Sequence, residues 1–250
     1  MRSISFTAIE GIPMVAAGDD LAALISAGLA RTGIVPQDGD ILVVCQKIVS
    51  KAEGRIVNLD EVEPSEFAMN LARRWEKDPR AVEVVLRNSN RIVRNDRGVI
   101  IAETGPGWVC ANAGVDESNS PGAARAILLP EDPDASARKL RAAIRQSCGA
   151  SVAVIVTDTF GRPWRDGLTE VCLGIAGMNP MLDLRGSTDL NGRELHHSVV
   201  AIADEIAAGA GLLMEKAGGI PAVVVRGYRF APCEASAKVL IRPAEADLFR

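Results

Sequence analysis

Apolar residues in this chain fall in short blocks, each closed by glycine, proline or acidic residues. Ile4, Phe6 and Ala8 alternate with Ser3, Ser5 and Thr7, the two-residue period of a half-buried strand. After a rigid Gly11-Ile12-Pro13 turn, Gly18-Asp19-Asp20 caps a helix whose inner face is Leu21, Leu24, Ile25 and Leu29. Asp38-Gly39-Asp40 is a hairpin-type turn, and ILVVCQKIVSKAEGRIV behind it reads as strand. Pro64-Ser65-Glu66 opens a helix with Phe67, Leu71 and Trp75 at four-residue spacing, and Asp78-Pro79 restarts a short one through Val82, Val85 and Leu86. Both are expected to lay apolar faces on a sheet. Residues 91–94 and 98–102 predict a hairpin over Asn95-Asp96-Arg97, and Gly105-Pro106-Gly107 breaks the chain. Residues 130–133 link to a helix that Asp134 caps, running through Leu140 and Ile144 to Gly149.

The central block is VAVIVTDTFGRPWRDG. Its β-branched start predicts a strand buried on both faces. The strand is expected to stop at Asp158 and Thr159, and Gly161 and Pro163 then turn the chain into a loop carrying Arg162 and Arg165. Residues 169–178 predict another strand, with Gly174 and Gly177 at bulges or close contacts. Asn191-Gly192 is a turn. A long helix is predicted over residues 195–216, bearing Val199, Ile202, Ile206 and Leu213, and it ends at Gly218-Gly219-Ile220-Pro221 before a strand over 222–226. Strands outnumber helices without alternating strictly with them, so the class is α+β rather than doubly wound.

Composition narrows the function classes. The 250 residues are 48% hydrophobic but only 4% aromatic, giving an aliphatic core, and the net charge is −4. Nothing global attracts nucleic acid, and an anionic ligand must be held by a local basic site. No apolar run reaches the roughly 18 residues of a membrane span, and the N-terminus lacks a signal-peptide layout. Five widely spaced cysteines without a CxxC pair argue against a zinc site or disulfide frame and for a cytoplasmic setting. His196 and His197 are the only histidines, which gives little support to a Ser–His–Asp or Cys–His mechanism.

Candidate chemistry sits in two acidic stretches and one basic one. Asp158-Thr159 and the Asp116-Glu117-Ser118-Asn119 run of WVCANAGVDESN bring hard oxygen donors to two strand ends, suited to Mg²⁺ or Mn²⁺. Gln46, Lys47, Ser50 and Lys51 follow a buried strand as a row of donors able to hold a triphosphate, and Arg162 and Arg165 add guanidinium forks. The glycine-rich loops of common nucleotide folds and the kinase motifs are absent. The residues alone thus point to a metal-dependent enzyme acting on a phosphate-bearing substrate, with hydrolase, kinase and ligase all open.

CQKIVSKAEGRIV, NAGVDESN, VTDTFGRPWRDG, DLNGRELHHSVVAIADEIAAGAGLLM and GGIPAVVVRG, in this order, resemble the successive motifs of the coenzyme F420-0:L-glutamate ligase family, the γ-glutamyl ligases of deazaflavin coenzyme biosynthesis. The resemblance covers nearly the whole chain. It implies a two-lobed α+β fold spanning residues 1–250, assembled as a butterfly-shaped homodimer, without the nitroreductase-like domain that bacterial relatives often append. It also implies GTP-dependent addition of L-glutamate to coenzyme F420-0 through an acyl phosphate, releasing GDP and phosphate. Further γ-linked glutamates can follow, and Mg²⁺ or Mn²⁺, two per site, with K⁺ would assist. A paralogue with another acceptor or amino acid, or a non-catalytic nucleotide-binding protein, are the alternatives.

Carried over by position, Asp116 and Asp158 resemble first-metal ligands and Thr159 a second-metal ligand. Ile12, Pro13, Met14, Val15, Gln46, Lys47, Lys51, Asn119, Met214, Lys216, Gly218 and Gly219 match nucleotide-binding positions, and Arg162 and Arg165 are the catalytic candidates. One departure stands out: where archaeal members of the family commonly read MG followed by an acid or amide that helps hold the second metal, this chain has Glu215-Lys216. A charged Lys216 replaces positive charge there rather than ligating it, and Glu215 offers an oxygen instead.

Overall fold

A computed structural model describes residues 2–120, 123–215 and 218–247. In chain order the elements are β1 (Ser5–Ala8), α1 (Leu21–Thr32), β2 (Ile41–Cys45), α2 (Gln46–Ala52), β3 (Ile56–Asn58), α3 (Glu66–Trp75), α4 (Pro79–Arg87), β4 (Ser89–Asp96), β5 (Val99–Thr104), β6 (Val109–Ala111), β7 (Asp116–Ser120) and β8 (Ala123–Ile127). They continue with α5 (Pro133–Cys148), β9 (Ala153–Arg162), β10 (Arg165–Ala176), β11 (Leu182–Asp183), β12 (Val199–Val200), α6 (Ile202–Met214) and β13 (Ala222–Arg226). The architecture is mixed α+β, as the pattern of blocks predicts.

The main sheet has the order β1-β13-β2-β9-β10, with β2 and β9 parallel and its other neighbours antiparallel. Both β2 and β9 are apolar at successive positions because helices cover both faces. Leu42, Val44, Val154 and Val156 pack with Ile25 and Leu29 of α1 and Leu140 and Ile144 of α5. Ile41, Val43, Ala153 and Ile155 pack instead with Ile206, Ala207 and Ala210 of α6. Each fully buried Ile, Val or Leu contributes roughly 1.5–3 kcal/mol, so this sandwich is the thermodynamic centre of the chain.

The chain between β2 and β9 builds two three-stranded sheets, β3-β8-β7 and β4-β5-β6, with α3 and α4 packed against them. Val82 and Val85 of α4 face Ile100 and Ala102 of β5, and Val84 faces Ala126 and Leu128 beside β8, so α4 ties the two sheets together. That tie fixes where β7, and with it Asp116, stands.

Several helix starts follow the sequence. Asp20 accepts from the Ala23 N–H at 3.0 Å, Ser65 from Ala68 at 3.2 Å and Asp78 from Arg80 at 2.8 Å. Others differ, for local reasons. Asp132, not Asp134, caps α5, accepting from Ala135 at 2.9 Å. Asp134 is buried and accepts from the backbones of Ile175 (2.8 Å) and Ala237 (3.0 Å) and the Ser236 hydroxyl (2.5 Å), which pins the C-terminal tail to β10. On α3 it is Ala68 and Ala72 that are buried, while Phe67 is exposed. The expected strand after Cys45 is a helix, α2. The predicted 195–216 helix begins only at Ile202, because Leu184, Gly186, Ser187 and Leu195 spend their backbone groups in a small hairpin around Asn191-Gly192.

Strand β9 does not stop at Asp158. It continues to Arg162 and turns at Pro163-Trp164 into β10, Trp164 taking the left-handed φ of 56°. The expected loop is therefore an extended, exposed hairpin. The close contact expected at Gly174 is present: a Cβ there would lie 2.3 Å from the Pro133 backbone, and the hairpin register shifts between Cys172 and Gly174. No described helix is long and apolar enough to cross a membrane.

Candidate functional site

Strand β2 runs into α2 without a connecting residue: Cys45 is the last extended position and Gln46 the first helical one. Because β2 and β9 are parallel, Cys45 lies alongside Thr157, and the C-terminal ends of both strands open at one edge of the sheet. The Cys45 N–H donates to the Pro221 carbonyl at 2.8 Å, which holds the 218–221 turn at this edge. Ile12 and Val15 are buried against Ile48 and Val49 of α2, and the Gly18 N–H donates to the Ala52 carbonyl at 2.9 Å. Segment 12–15, α2, the 218–221 turn and the β9–β10 hairpin are thus gathered around one edge.

Within that frame the predicted residues divide. Lys47, in the first turn of α2, makes an ion pair with Asp116 at the start of β7, and both side chains are about half exposed. Lys51 stands one helical turn further on the same face. Gln46 is buried and accepts the Ser50 hydroxyl at 2.8 Å, so it braces the helix rather than facing solvent. Pro13 and Met14 are exposed, whereas Ile12, Val15 and Met214 are core residues that can offer a ligand only their backbone. Gly218 and Gly219 lie beside the end of α6, with Gly219 at φ 67°. Asn119 pairs through its backbone with Ala124, and its side chain and Lys216 lie outside the described residues. Arg162 and Arg165 pair across the exposed hairpin, Arg162 donating to the Asp166 carbonyl at 3.1 Å.

Adjacent strand residues point to opposite faces, so Asp158 and Thr159 cannot share one. Thr157 and Thr159 face Glu170, the cross-strand partner of Thr159 on β10; Glu170 accepts both hydroxyls, that of Thr157 at 2.7 Å. Asp158 faces the other way, where its charge reaches Lys47 and Cys110. The structure therefore gathers Lys47, Asp116 and Asp158 into one cluster and Thr157, Thr159 and Glu170 into a second, back to back across β9.

Electrostatics join the two. Burial above all pushes the Cys45 thiol up to about 11, against a lowering bond from the Lys47 backbone and with help from the Glu170 and Asp158 charges. Burial, then Asp158, raises Cys110 to about 12. Burial disfavours the Lys47 ammonium, but its hydrogen bond to Asp116 and the Asp116, Cys45 and Asp158 charges outweigh that and leave its pKa raised.

Sequence reasoning missed Glu170, Cys45 and Cys110. The available signal for Glu170 was one acid inside the otherwise apolar stretch EVCLGIA, but its partners depend on hairpin register. Two hollows of about 280 and 1170 Å³ lie at the opposite edge of the sheet, around Arg226 and Gln37, and hold none of the predicted residues.

The donor chemistry suits a hard cation. Asp116, Asp158, Thr159 and Glu170 offer only oxygen, the donor atom that suits Mg²⁺ and Mn²⁺. Among the described residues no group of three or more His, Cys, Asp or Glu side chains is close enough to hold a metal ion unaided.

A sequence model of the F420-0:γ-glutamyl ligase family matches residues 11–227. The chain is 46% identical over 250 residues to the coenzyme F420:L-glutamate ligase of Methanothermobacter thermautotrophicus, covering 99% of each. It is 47% identical to that of Methanopyrus kandleri, covering 97% of each, and 45% identical to that of Archaeoglobus fulgidus, covering 97% of this chain and 94% of the relative. With the family's pattern matched across most of its length and its relatives aligned nearly end to end, this chain belongs to the F420-0:γ-glutamyl ligase family.

Proposed function

We propose that the protein is a GTP-dependent ligase that joins L-glutamate to coenzyme F420-0, with further glutamates able to follow through γ-linkages. The observation that carries this reading is the cluster of Lys47, Asp116 and Asp158 at the end of β2 and β9, with Thr159 on the opposite face of β9, in a chain aligned nearly end to end with named ligases.

In the proposed reaction a carboxylate oxygen of the acceptor attacks the γ-phosphorus of GTP, and GDP departs with the bonding pair. The glutamate nitrogen, having lost its proton, then attacks the acyl carbon, and phosphate leaves. Lys47 and Lys51, on one face of α2, hold phosphate oxygens, while backbone groups of segment 12–15 and of Gly218 and Gly219 shape the nucleotide's seat. Arg162 and Arg165, exposed on the hairpin, spread charge on the group in transfer. Asp116 and Asp158 would hold one Mg²⁺ or Mn²⁺ and Thr159, across β9, would contribute to a second; such ions when bound neutralise phosphate charge. Since the side chains do not complete a shell alone, nucleotide oxygens and water would supply the rest. The family resemblance extends the proposal to a K⁺-responsive homodimer in the cytoplasm, and all five cysteines are free, as a reducing compartment requires.

The test is mass spectrometry of coenzyme F420-0 incubated with the protein, GTP, L-glutamate and Mn²⁺. A product heavier by whole glutamyl units, formed only with GTP, is expected. GTP consumption without that product would move the reading to another acceptor, and the absence of both product and GTP consumption would overturn it.

A further inference from the structure

Glu170 has no part in the reading above, yet its carboxylate joins two threonines of β9. It stands opposite Thr159 in the hairpin register and accepts hydroxyl protons from both Thr157 and Thr159, two residues apart on one face of β9. Helix α6 makes room for it: a Cβ on Gly211 would come within 2.6 Å of Glu170 Cγ. Thr157 is wholly buried, while Thr159 and Glu170 are half-buried. The charges of Glu170 and Asp158 reach Cys45 and those of Asp116 and Asp158 reach Lys47, and Lys47 is already paired with Asp116.

A threonine hydroxyl has one proton to give and two lone pairs. With its O–H donated to Glu170, Thr159 Oγ1 is left only to accept, which is the state in which a hydroxyl ligates a cation. We propose that Glu170 is a positioning residue for the metal–nucleotide site, fixing Thr159 Oγ1 as an acceptor by holding its proton, with Thr157 as the second strut that keeps the carboxylate in place. This inference rests on the proposed metal–nucleotide function. Outer partners of this kind usually change metal affinity about 10–100-fold when altered. A purely structural Glu170, one that only staples β9 to β10, would change the melting temperature and leave the cation untouched.

The experiment is a Mn²⁺ titration followed by electron paramagnetic resonance on the full chain with GDP, alongside thermal melts. Glu170→Gln keeps the shape but has one carbonyl oxygen for two hydroxyls; its N–H₂ faces the other, occupying one lone pair and leaving that hydroxyl's proton unheld. Its Mn²⁺ Kd is expected to rise about 10–100-fold. Thr157→Val removes the second strut but spares the Thr159 hydroxyl, so its Mn²⁺ Kd is expected to rise less than that of Glu170→Gln. If Glu170→Gln does not fold, Gly211→Ala serves, since its methyl displaces the Glu170 stem without changing charge, and it is expected to weaken Mn²⁺ in the same direction. A folded Glu170→Gln, or failing that Gly211→Ala, that binds Mn²⁺ as tightly as wild type overturns the role of Glu170 alone. Wild type that binds no Mn²⁺ with GDP overturns the underlying metal site as well.

Discussion

Replacing Lys47 by methionine separates what the Lys47–Asp116 pair does for folding from what it does for ligand. Both partners are about half exposed, at 43% and 44%, so the pair belongs with surface ion pairs. Such pairs contribute up to about 1 kcal/mol, which in a chain of this size is about 2–4 °C in Tm. Methionine keeps the aliphatic stem and a good helix propensity, so α2 should persist. A charge-assisted bond from the ammonium to a phosphate is worth about 1.5–3 kcal/mol, or roughly tenfold to a hundredfold in affinity. Lys47→Met is therefore expected to melt within about 4 °C of wild type while its GTP Kd, measured by calorimetry with Mg²⁺ at low salt, rises at least tenfold. A GTP Kd within twofold of wild type would remove Lys47 from the nucleotide site. A much larger fall in Tm would mean that the pair holds β7 to α2 and that the weakened binding is secondary.

Asp158→Ala is expected to abolish metal-dependent GTP binding with the fold intact, because Asp158 lies beyond the buried part of β9; turnover at the wild-type rate would sink the assignment. Glu83 gives a pH prediction. The Ser65 hydroxyl first, then the Ser65 N–H and Arg87, hold its carboxyl down to about 2, against 4.5 unperturbed. That stabilisation is complete above the unfolded value of about 4.5 and is lost as pH falls toward 2, amounting to on the order of 2 kcal/mol after allowing for the exposed Arg87. Glu83→Gln should flatten the acid limb of a denaturation-against-pH series, and an unchanged slope would refute the account. Gly174→Ala should lower Tm markedly, since its methyl would meet the Pro133 backbone at 2.3 Å and overpacking costs roughly 1–3 kcal/mol or more; a wild-type melt would show that α5 yields freely.

The sequence is legible where one local rule decides. The doubly buried runs of β2, β9 and β13, the caps Asp20, Ser65 and Asp78 and the β4–β5 hairpin all follow from period and turn chemistry. It is illegible where a tertiary partner decides. Ile48 and Val49 continue the β-branched look of β2, so nothing local announces that Cys45 hands over to a helix. The hairpin beyond Asp158 exists because β10 pairs with it, and register cannot be read from one strand. Asp132 and Asp134 are equally good caps on paper; the buried backbone donors of Ile175 and Ala237 claim the second. At the site the donor types are visible in the motifs, but the Lys47–Asp116 pairing and the back-to-back division across β9 need the fold, and Glu170 needs the register as well.

The strand that becomes a helix without a linking residue also sets where this chain tolerates length changes. One residue inserted after Cys45 would rotate α2 by about 100° and shift it about 1.5 Å along its axis, carrying Lys47 away from Asp116 and turning Lys51 with it. No flexible connector exists there to absorb the change, whereas the exposed turn at Asn191-Gly192 can take extra residues at little cost. The same lack of slack means that ordering of these cations, about 1–2 kcal/mol of backbone entropy per residue, is met when the chain folds and not again when a ligand arrives.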